Sequence, residues 1–254
     1  MQFRGERSRP FFDLLAQVER MPAPAKPRAV ADLGCGAGDL TALLAERWPS
    51  ARLWGVDSSA EMIVAAAKHA IPDRLTFVLG DLGHWTPPEP LDVLIANASL
   101  QWVPDHPALL ERLTSALAPG GVLGFQVPGN FEQPSHLALE KLRSAPRWAS
   151  RLEALPRAAI ESPARYLARL AELGLTAEVW ETTYWHVLKG EDPVLRWTTG
   201  TTLRPLLAAL DEAARSELLA EYGALLREAY PPMPFVGTPF PFRRVFAVAR
   251  RATS

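Results

Sequence analysis

ADLGCGAGD, residues Ala31 to Asp39, joins an apolar run to a leucine-rich stretch and carries glycine at 34, 36 and 38. The run before it, RAVADL (Arg28–Leu33), has the length and composition of a buried strand. The stretch after it, DLTALLAERW (Asp39–Trp48), has leucine and alanine at helical spacing. A strand, a glycine turn and a helix in that order open a βαβ unit, whose sheet is parallel and whose crossover is right-handed.

The downstream sequence keeps the same rhythm. ARLWGVD (Ala51–Asp57) reads as a second strand. The helix after it, Ser58–Ala70, opens with a capping box of Ser58 and Glu61. LTFVLGD (Leu75–Asp81), LDVLIAN (Leu91–Asn97) and GVLGFQVP (Gly121–Pro128) read as further strands. Between the last two, HPALLERLTSAL (His106–Leu117) reads as a helix stopped by PGG (Pro119–Gly121). Past Pro128 the pattern changes. Ser135–Ala145 and Ala164–Gly174 look helical, Leu175–Val187 is a long sixth strand, and Asp192–Tyr230 is again helical. AYPPMPFVGTPFPF (Ala229–Phe242) is expected to be a packed loop, and Phe242–Arg251 the last strand. The expectation is an α/β fold, Rossmann-like and doubly wound, with a helical insertion before the final strand. Residues 1–254 are expected to form a single domain, with about 1–25 and 189–242 as a lid.

Bulk properties narrow the class. A chain of 254 residues, 48% hydrophobic and 22% charged, with a formal net charge of −1, is an ordinary soluble composition. Nothing in that balance points to nucleic acid. No run approaches the apolar length of a membrane helix. The N-terminus mixes charges into its apolar residues, unlike a signal peptide. A lone cysteine, Cys35, excludes an intrachain disulfide or a cysteine-based zinc site and fits a cytoplasmic setting. No metal is expected, and a monomer is favoured.

The glycine turn also constrains its ligand. A dinucleotide fingerprint needs glycine at 39, where this chain has Asp39. A carboxylate there competes with a pyrophosphate for the amides of the helix N-terminus. A ligand without phosphates is therefore expected. Asp57, ending the second strand, is placed to accept from two ribose hydroxyls, or else to cap the next helix. Asp81 suits an adenine amino group or an ordinary turn, and Met62 packs on the base or in the core.

DLGCGAG, then GVDSS, then GDL resemble the class I S-adenosylmethionine-dependent methyltransferases. That resemblance implies a seven-stranded sheet whose last strand is antiparallel, with S-adenosylmethionine as cofactor and S-adenosylhomocysteine as its product. The cofactor-binding residues it implies are Asp32, Gly34, Cys35, Gly36, Gly38, Asp57, Ser58, Met62, Asp81, Leu82, Asn97 and Ala98.

Further segments are similar to the trans-aconitate methyltransferase family: ERSRP (Glu6–Pro10), NASLQWVPDH (Asn97–His106), TTYWH (Thr182–His186), TGTTLRP (Thr199–Pro205) and the closing FAVARR (Phe246–Arg251). In that family an aromatic-containing segment precedes ERSRP, whereas this chain begins almost at that helix. The implied reaction places a methyl group on one carboxylate of a small polycarboxylate. A carboxylate is ionised at neutral pH, so no catalytic base is expected, only positioning by Gln101, Trp102 and His186. Arginine forks grip carboxylates. The candidates are Arg7 and Arg9, Arg204, and Arg243 or Arg244, each otherwise a solvated surface residue. Arg243 and Arg244 point to opposite faces of one strand, so a single one enters the site, and the resemblance favours Arg244. Tyr184 and His186 share a strand face, with His186 either a donor or a structural histidine, and Trp197 either packs or lines the site. His106 and His136 are expected to be structural, and Asp105 to cap a helix. Another small acid or natural product as acceptor, and a non-catalytic cofactor-binding protein, are the alternatives.

Overall fold

In the computed structural model, residues 4–21, 26–155 and 160–253 are described, with the side chains of residues 4–7 left aside. The strands are β1 (Ala29–Leu33), β2 (Arg52–Asp57), β3 (Leu75–Leu79), β4 (Leu91–Asn97), β5 (Leu117–Pro128), β6 (Leu175–Leu188) and β7 (Thr238–Arg251). They form one sheet in the order β3-β2-β1-β4-β5-β7-β6. β1 pairs in parallel with β2 and β4, β2 with β3 and β4 with β5, whereas β7 runs antiparallel to β5. The order reverses between β1 and β4, which is where doubly wound sheets bind ligands.

Burial explains why these segments are strands. All five residues of β1 and the first six of β4 are buried, as strands covered on both faces require. Asp92 accepts the backbone N–H groups of Arg28 at 2.6 Å and Ala29 at 3.2 Å, which fastens the start of β1 to β4. On one side, helix α4 (His106–Ser115) contributes Leu109, Leu110 and Leu113 to a core with Leu94, Phe125 and Tyr166 of helix α7 (Pro163–Glu172). Helix α1 (Arg4–Arg20) buries Phe11, Leu14 and Val18. It comes so near β5 that a β-carbon on Gly124 would stand 2.5 Å from Val18. Each leucine so buried contributes about 1.5–3 kcal/mol.

Several boundaries differ from the sequence reading. Helix α2 (Asp39–Arg47) starts where expected, but helix α3 is Ala60–Ala66, followed by a short 3-10 turn at Ala67–His69. Ser59, not Ser58, accepts the Met62 N–H at 3.3 Å and caps α3. Asp57 Oδ1 takes the Ser59 N–H at 2.9 Å, which shifts the cap one residue on. PGG does not stop α4. It lies inside β5, where the pairing with β4 jumps from Leu91↔Leu117 to Val93↔Val122 and the extra residues bulge. β7 begins at Thr238, so the last part of the expected loop is strand. Arg243 donates its N–H to Asn130 Oδ1 and accepts the Gly129 N–H, so its polar groups face the β5 side. By period two, Pro239 and Pro241 point their missing donors to that same side, beyond the last β5 residue, Pro128.

The chain divides into two compact units. One comprises Met1–Pro128, Ala158–Thr182 and Arg244–Ser254, and the other Gly129–Arg157 and Thr183–Arg243. The second therefore gathers the 189–242 insertion together with helices α5 (Pro134–Arg143) and α6 (Pro146–Leu152). It also holds helices α8 (Pro193–Thr199), α9 (Arg204–Ala208) and α10 (Glu212–Ala229). Its interior joins Trp197, Phe240, Phe242, Tyr230 and His186 in aromatic contact. No helix among the described residues is long and apolar enough to cross a membrane.

Candidate functional site

The three glycines of the first turn are required for different reasons. Gly34 sits at φ +80°, and a β-carbon there would lie 2.2 Å from Cβ of Ser99. Gly38 opens α2 at φ +79°, with Phe77 2.7 Å from the place of its β-carbon. Gly36, at φ +56°, would meet no atom within 4 Å. The outer two glycines thus allow close packing, and the middle one leaves backbone bare beside open space.

Around that space stand carboxylates. Asp57, at the end of β2, accepts the Gly36 N–H on Oδ2 at 2.9 Å and the Ser59 N–H on Oδ1. Each oxygen keeps acceptor capacity for a further donor. Asp32 is 3% exposed and accepts the Thr41 hydroxyl at 2.6 Å. Burial raises its pKa to about 6, partly offset by Thr41 and reinforced by the charge of Asp57. Asp39 Oδ1 lies 3.4 Å from Nε2 of His69. The turn itself, DLGCGAGD, holds two carboxylates and no cation. It suits a ligand bearing positive charge and hydroxyl donors, such as a sulfonium nucleoside, and disfavours a pyrophosphate. Cys35 is buried, and burial with the neighbouring Asp32 and Asp57 charges raises its pKa, so the thiol stays protonated.

The other expected cofactor residues lie as follows. Ser58 is exposed and Met62 half-buried on α3. Gly80 donates its N–H to the Asp57 carbonyl, which brings the end of β3 beside Asp57. Asp81 is exposed, accepts the Gly83 N–H at 2.8 Å and meets His84 Nδ1 at 2.7 Å. The histidine contact, then the amide, hold its pKa below the usual carboxylate range. Leu82 is buried, and Arg112 of α4 donates to the carbonyls of Leu82 and Trp85. The sequence reading had not singled out Arg112.

NASLQWVPDH, after β4, is an ordered turn. Ser99 donates to the Leu33 carbonyl at 2.6 Å and so joins this turn to the glycine turn. Ala98 adopts φ +56° and donates its N–H to the Gln126 carbonyl. Gln101 is 6% exposed, and its Nε2 donates to the Ala98 carbonyl at 2.7 Å. Its Oε1 has no partner among the described residues. Trp102 is 51% exposed. Asp105 caps α4 by accepting the Ala108 N–H. His106 binds the Tyr166 hydroxyl at 2.6 Å and the Leu100 carbonyl at 3.0 Å, which makes it a structural histidine as expected.

A polar row that the sequence reading missed crosses three strands. Asn97 Oδ1 accepts from Gln126 Nε2 at 2.7 Å, and Gln126 Oε1 accepts from Arg244 Nη1 at 3.2 Å. Arg244 is buried, whereas Arg243 is partly exposed. In the second unit, Tyr184 and His186 share the buried face of β6 as period two predicts. The His186 ring stacks on Trp197, with centroids 4.9 Å apart. Trp197 is 2% exposed, deep in the aromatic cluster, and Arg204 is exposed at the start of α9. The Arg7 side chain lies outside the described residues.

Comparison with known proteins agrees with this geometry. A methyltransferase domain family matches residues 30–121. A trans-aconitate 2-methyltransferase of Streptomyces avermitilis is 52% identical over 99% of this chain and 94% of its own length. Those from Streptomyces coelicolor and Mycobacterium tuberculosis are 51% and 44% identical, over 99% and 98% of this chain and 84% and 94% of their own lengths. The chain belongs to the trans-aconitate 2-methyltransferase family. It is an S-adenosylmethionine-dependent methyltransferase. Among solved structures, the YcgJ protein of Bacillus subtilis aligns with a TM-score of 0.60 at 14% identity, over 96% of this chain and all of that one. A phosphoethanolamine N-methyltransferase of Haemonchus contortus, complexed with S-adenosylhomocysteine, aligns with a TM-score of 0.55 at 18% identity. That alignment covers 95% of this chain and 52% of that one. Both share the fold of this chain.

Proposed function

We propose that this enzyme esterifies one carboxylate of trans-aconitate, forming its monomethyl ester. The observation that carries the reading is identity near one half, along almost the whole chain, with trans-aconitate 2-methyltransferases. S-adenosylmethionine, when bound, supplies a methyl group on a sulfonium that is open to direct displacement. The glycine turn, Asp32 and Asp57 are the residues suited to hold it, with Met62, Asp81, Leu82, Asn97 and Ala98 around it.

The acceptor carboxylate is ionised at neutral pH, so the protein has no proton to remove. Its work is to bind, align and dehydrate an anion. Arg244 is the cation best supported for that role, because it is buried and held by Gln126. Gln101, Trp102, Tyr184, His186, Trp197, Arg7 and Arg204 complete the proposed acceptor set. In this reading about 1–25 and 189–242 act as a lid. The burial of Phe11, Leu14 and Val18 favours the start of α1 over its later turns for that part. A small polycarboxylate as the acceptor, a cytoplasmic setting and a monomer complete the proposal.

The test is incubation with methyl-labelled cofactor and trans-aconitate, in parallel with cis-aconitate, citrate and isopropylmalate. The expected product releases labelled methanol in alkali and has the mass of a monomethyl ester. Turnover of another acid but not trans-aconitate reassigns the acceptor, and turnover of none of the four removes the esterification reading.

A further inference from the structure

Gln126 interrupts an apolar strand between Phe125 and Val127 and is 1% exposed. An amide so buried costs stability unless both its ends are hydrogen-bonded, and a leucine there would need no partners. Both ends are bonded, to Arg244 and Asn97. The register explains how. Asn97 is the direct partner of Gln126 across β4 and β5. Arg244 pairs with Pro128, two residues along from Gln126 across β5 and β7, so all three side chains share one face. Asn97 is the last residue of β4, and Gln126 lies near the end of β5. These are the carboxyl ends of parallel strands, where such sheets bind ligands.

The chemistry of arginine sets the direction of the whole row. A guanidinium has donors and no acceptor. It therefore takes the oxygen of Gln126, which turns the Gln126 NH2 toward Asn97. Asn97 must answer with its oxygen, leaving its own NH2 as the end of the row. A freely turning asparagine offers either end to a ligand, whereas this one offers only donors.

We propose that Gln126 is a positioning residue for the acceptor carboxylate. It holds the Arg244 guanidinium in place and fixes the Asn97 amide so that the row presents donors alone to an anion. The inference rests on the reading of Arg244 as an acceptor-binding residue. It explains why a neutral amide, and not a carboxylate, stands beside a buried cation. A carboxylate at position 126 would form an ion pair with the guanidinium and weaken its attraction for a further anion.

The test compares R244A, Q126L, Q126E and Q126N in trans-aconitate kinetics, with cofactor affinity from calorimetry and the thermal midpoint of each. For Q126L and Q126E the expected result is an acceptor KM raised about tenfold, the loss of one hydrogen bond to a charged group. Their kcat should stay within about threefold, and cofactor affinity, touched only through Asn97, should fall by less than the KM rises. Q126E is the decisive variant. It should raise KM without lowering the midpoint, since a new ion pair replaces the hydrogen bond. Q126N keeps the amide on a shorter stem, so its KM should fall between the wild-type and Q126L values; it also serves in place of Q126L if the leucine variant does not fold. R244A separates the two readings. If it raises KM while every Gln126 variant stays within twofold of wild type, Gln126 is structural and the inference falls alone. If R244A leaves KM unchanged, Arg244 is outside the acceptor site and both readings fall. If the Gln126 variants lower midpoint, kcat and cofactor affinity together, their role is in the fold and not in orientation.

Discussion

Asp57 shows how one side chain can serve fold and ligand at once. Its two oxygens each hold a backbone N–H, of Gly36 and Ser59. Asp57→Asn is therefore not a mild change, because its NH2 must face one of those two donors. D57N should weaken cofactor binding nearly as much as D57A, by about 1–3 kcal/mol in calorimetry. Cofactor affinity in D57N equal to wild type would take Asp57 out of the site. This residue was legible in the sequence because it ends an apolar run just before a helix. Gln126 was not, because one polar residue in GFQV carries no period and its partners are 29 and 118 positions away. The capping-box rule favours Ser58, which alone has a glutamate three residues on, but the Asp57 bond to the Ser59 N–H goes with a cap at Ser59 instead.

The elements of the first half followed from their apolar period, since strands buried on both faces write themselves as continuous runs. PGG misled because glycine and proline mark a bulge as readily as a helix end. The prolines at 239 and 241 misled for a similar reason: they forbid a paired donor, and β7 has no need of one there. Helix α4 offers a test of what the turn before it contributes. Asp105 caps it from φ +55°, a left-handed conformation that an ordinary side chain resists. D105A loses the cap and keeps the backbone cost, so it should destabilise by about 1–2 kcal/mol. D105G also loses the cap but relieves the backbone, so its loss in urea unfolding should be smaller. Equal losses would show that the backbone conformation costs nothing there.

With 27 basic and 28 acidic residues, the molecule has little net repulsion at neutral pH. Its stability should then respond to pH through particular buried groups, and two of them act with opposite sign. His136, in the second unit, has its pKa lowered from 6.5 to about 4 by burial, against the pull of Glu140. The unfolded chain takes up a proton that the native state refuses, so this stability is lost as pH falls from 6.5 toward 4. Replacing it in H136Q should move stability relative to wild type by about 2 kcal/mol in the variant's favour between pH 7 and pH 5. Asp32, in the first unit, has its pKa raised from 3.8 to about 6. Its native state holds the proton more tightly, so its contribution is greatest below pH 3.8 and is lost as pH rises to about 6. D32N should be the more stable protein at pH 7 without cofactor, by about 2–3 kcal/mol, and that advantage should narrow by about 1 kcal/mol at pH 5. Urea titrations at the two pH values check both signs. The contact between Gly34 and Ser99 bears on how such a chain can be altered at all. With 2.2 Å between the Ser99 β-carbon and the place of a Gly34 one, positions 34 and 99 form a single unit of variation. A library that randomises the glycine turn alone will return glycine at 34 whatever activity is selected. Only one that opens both positions together can explore a different turn, and even then the left-handed backbone at 34 restricts which residues survive.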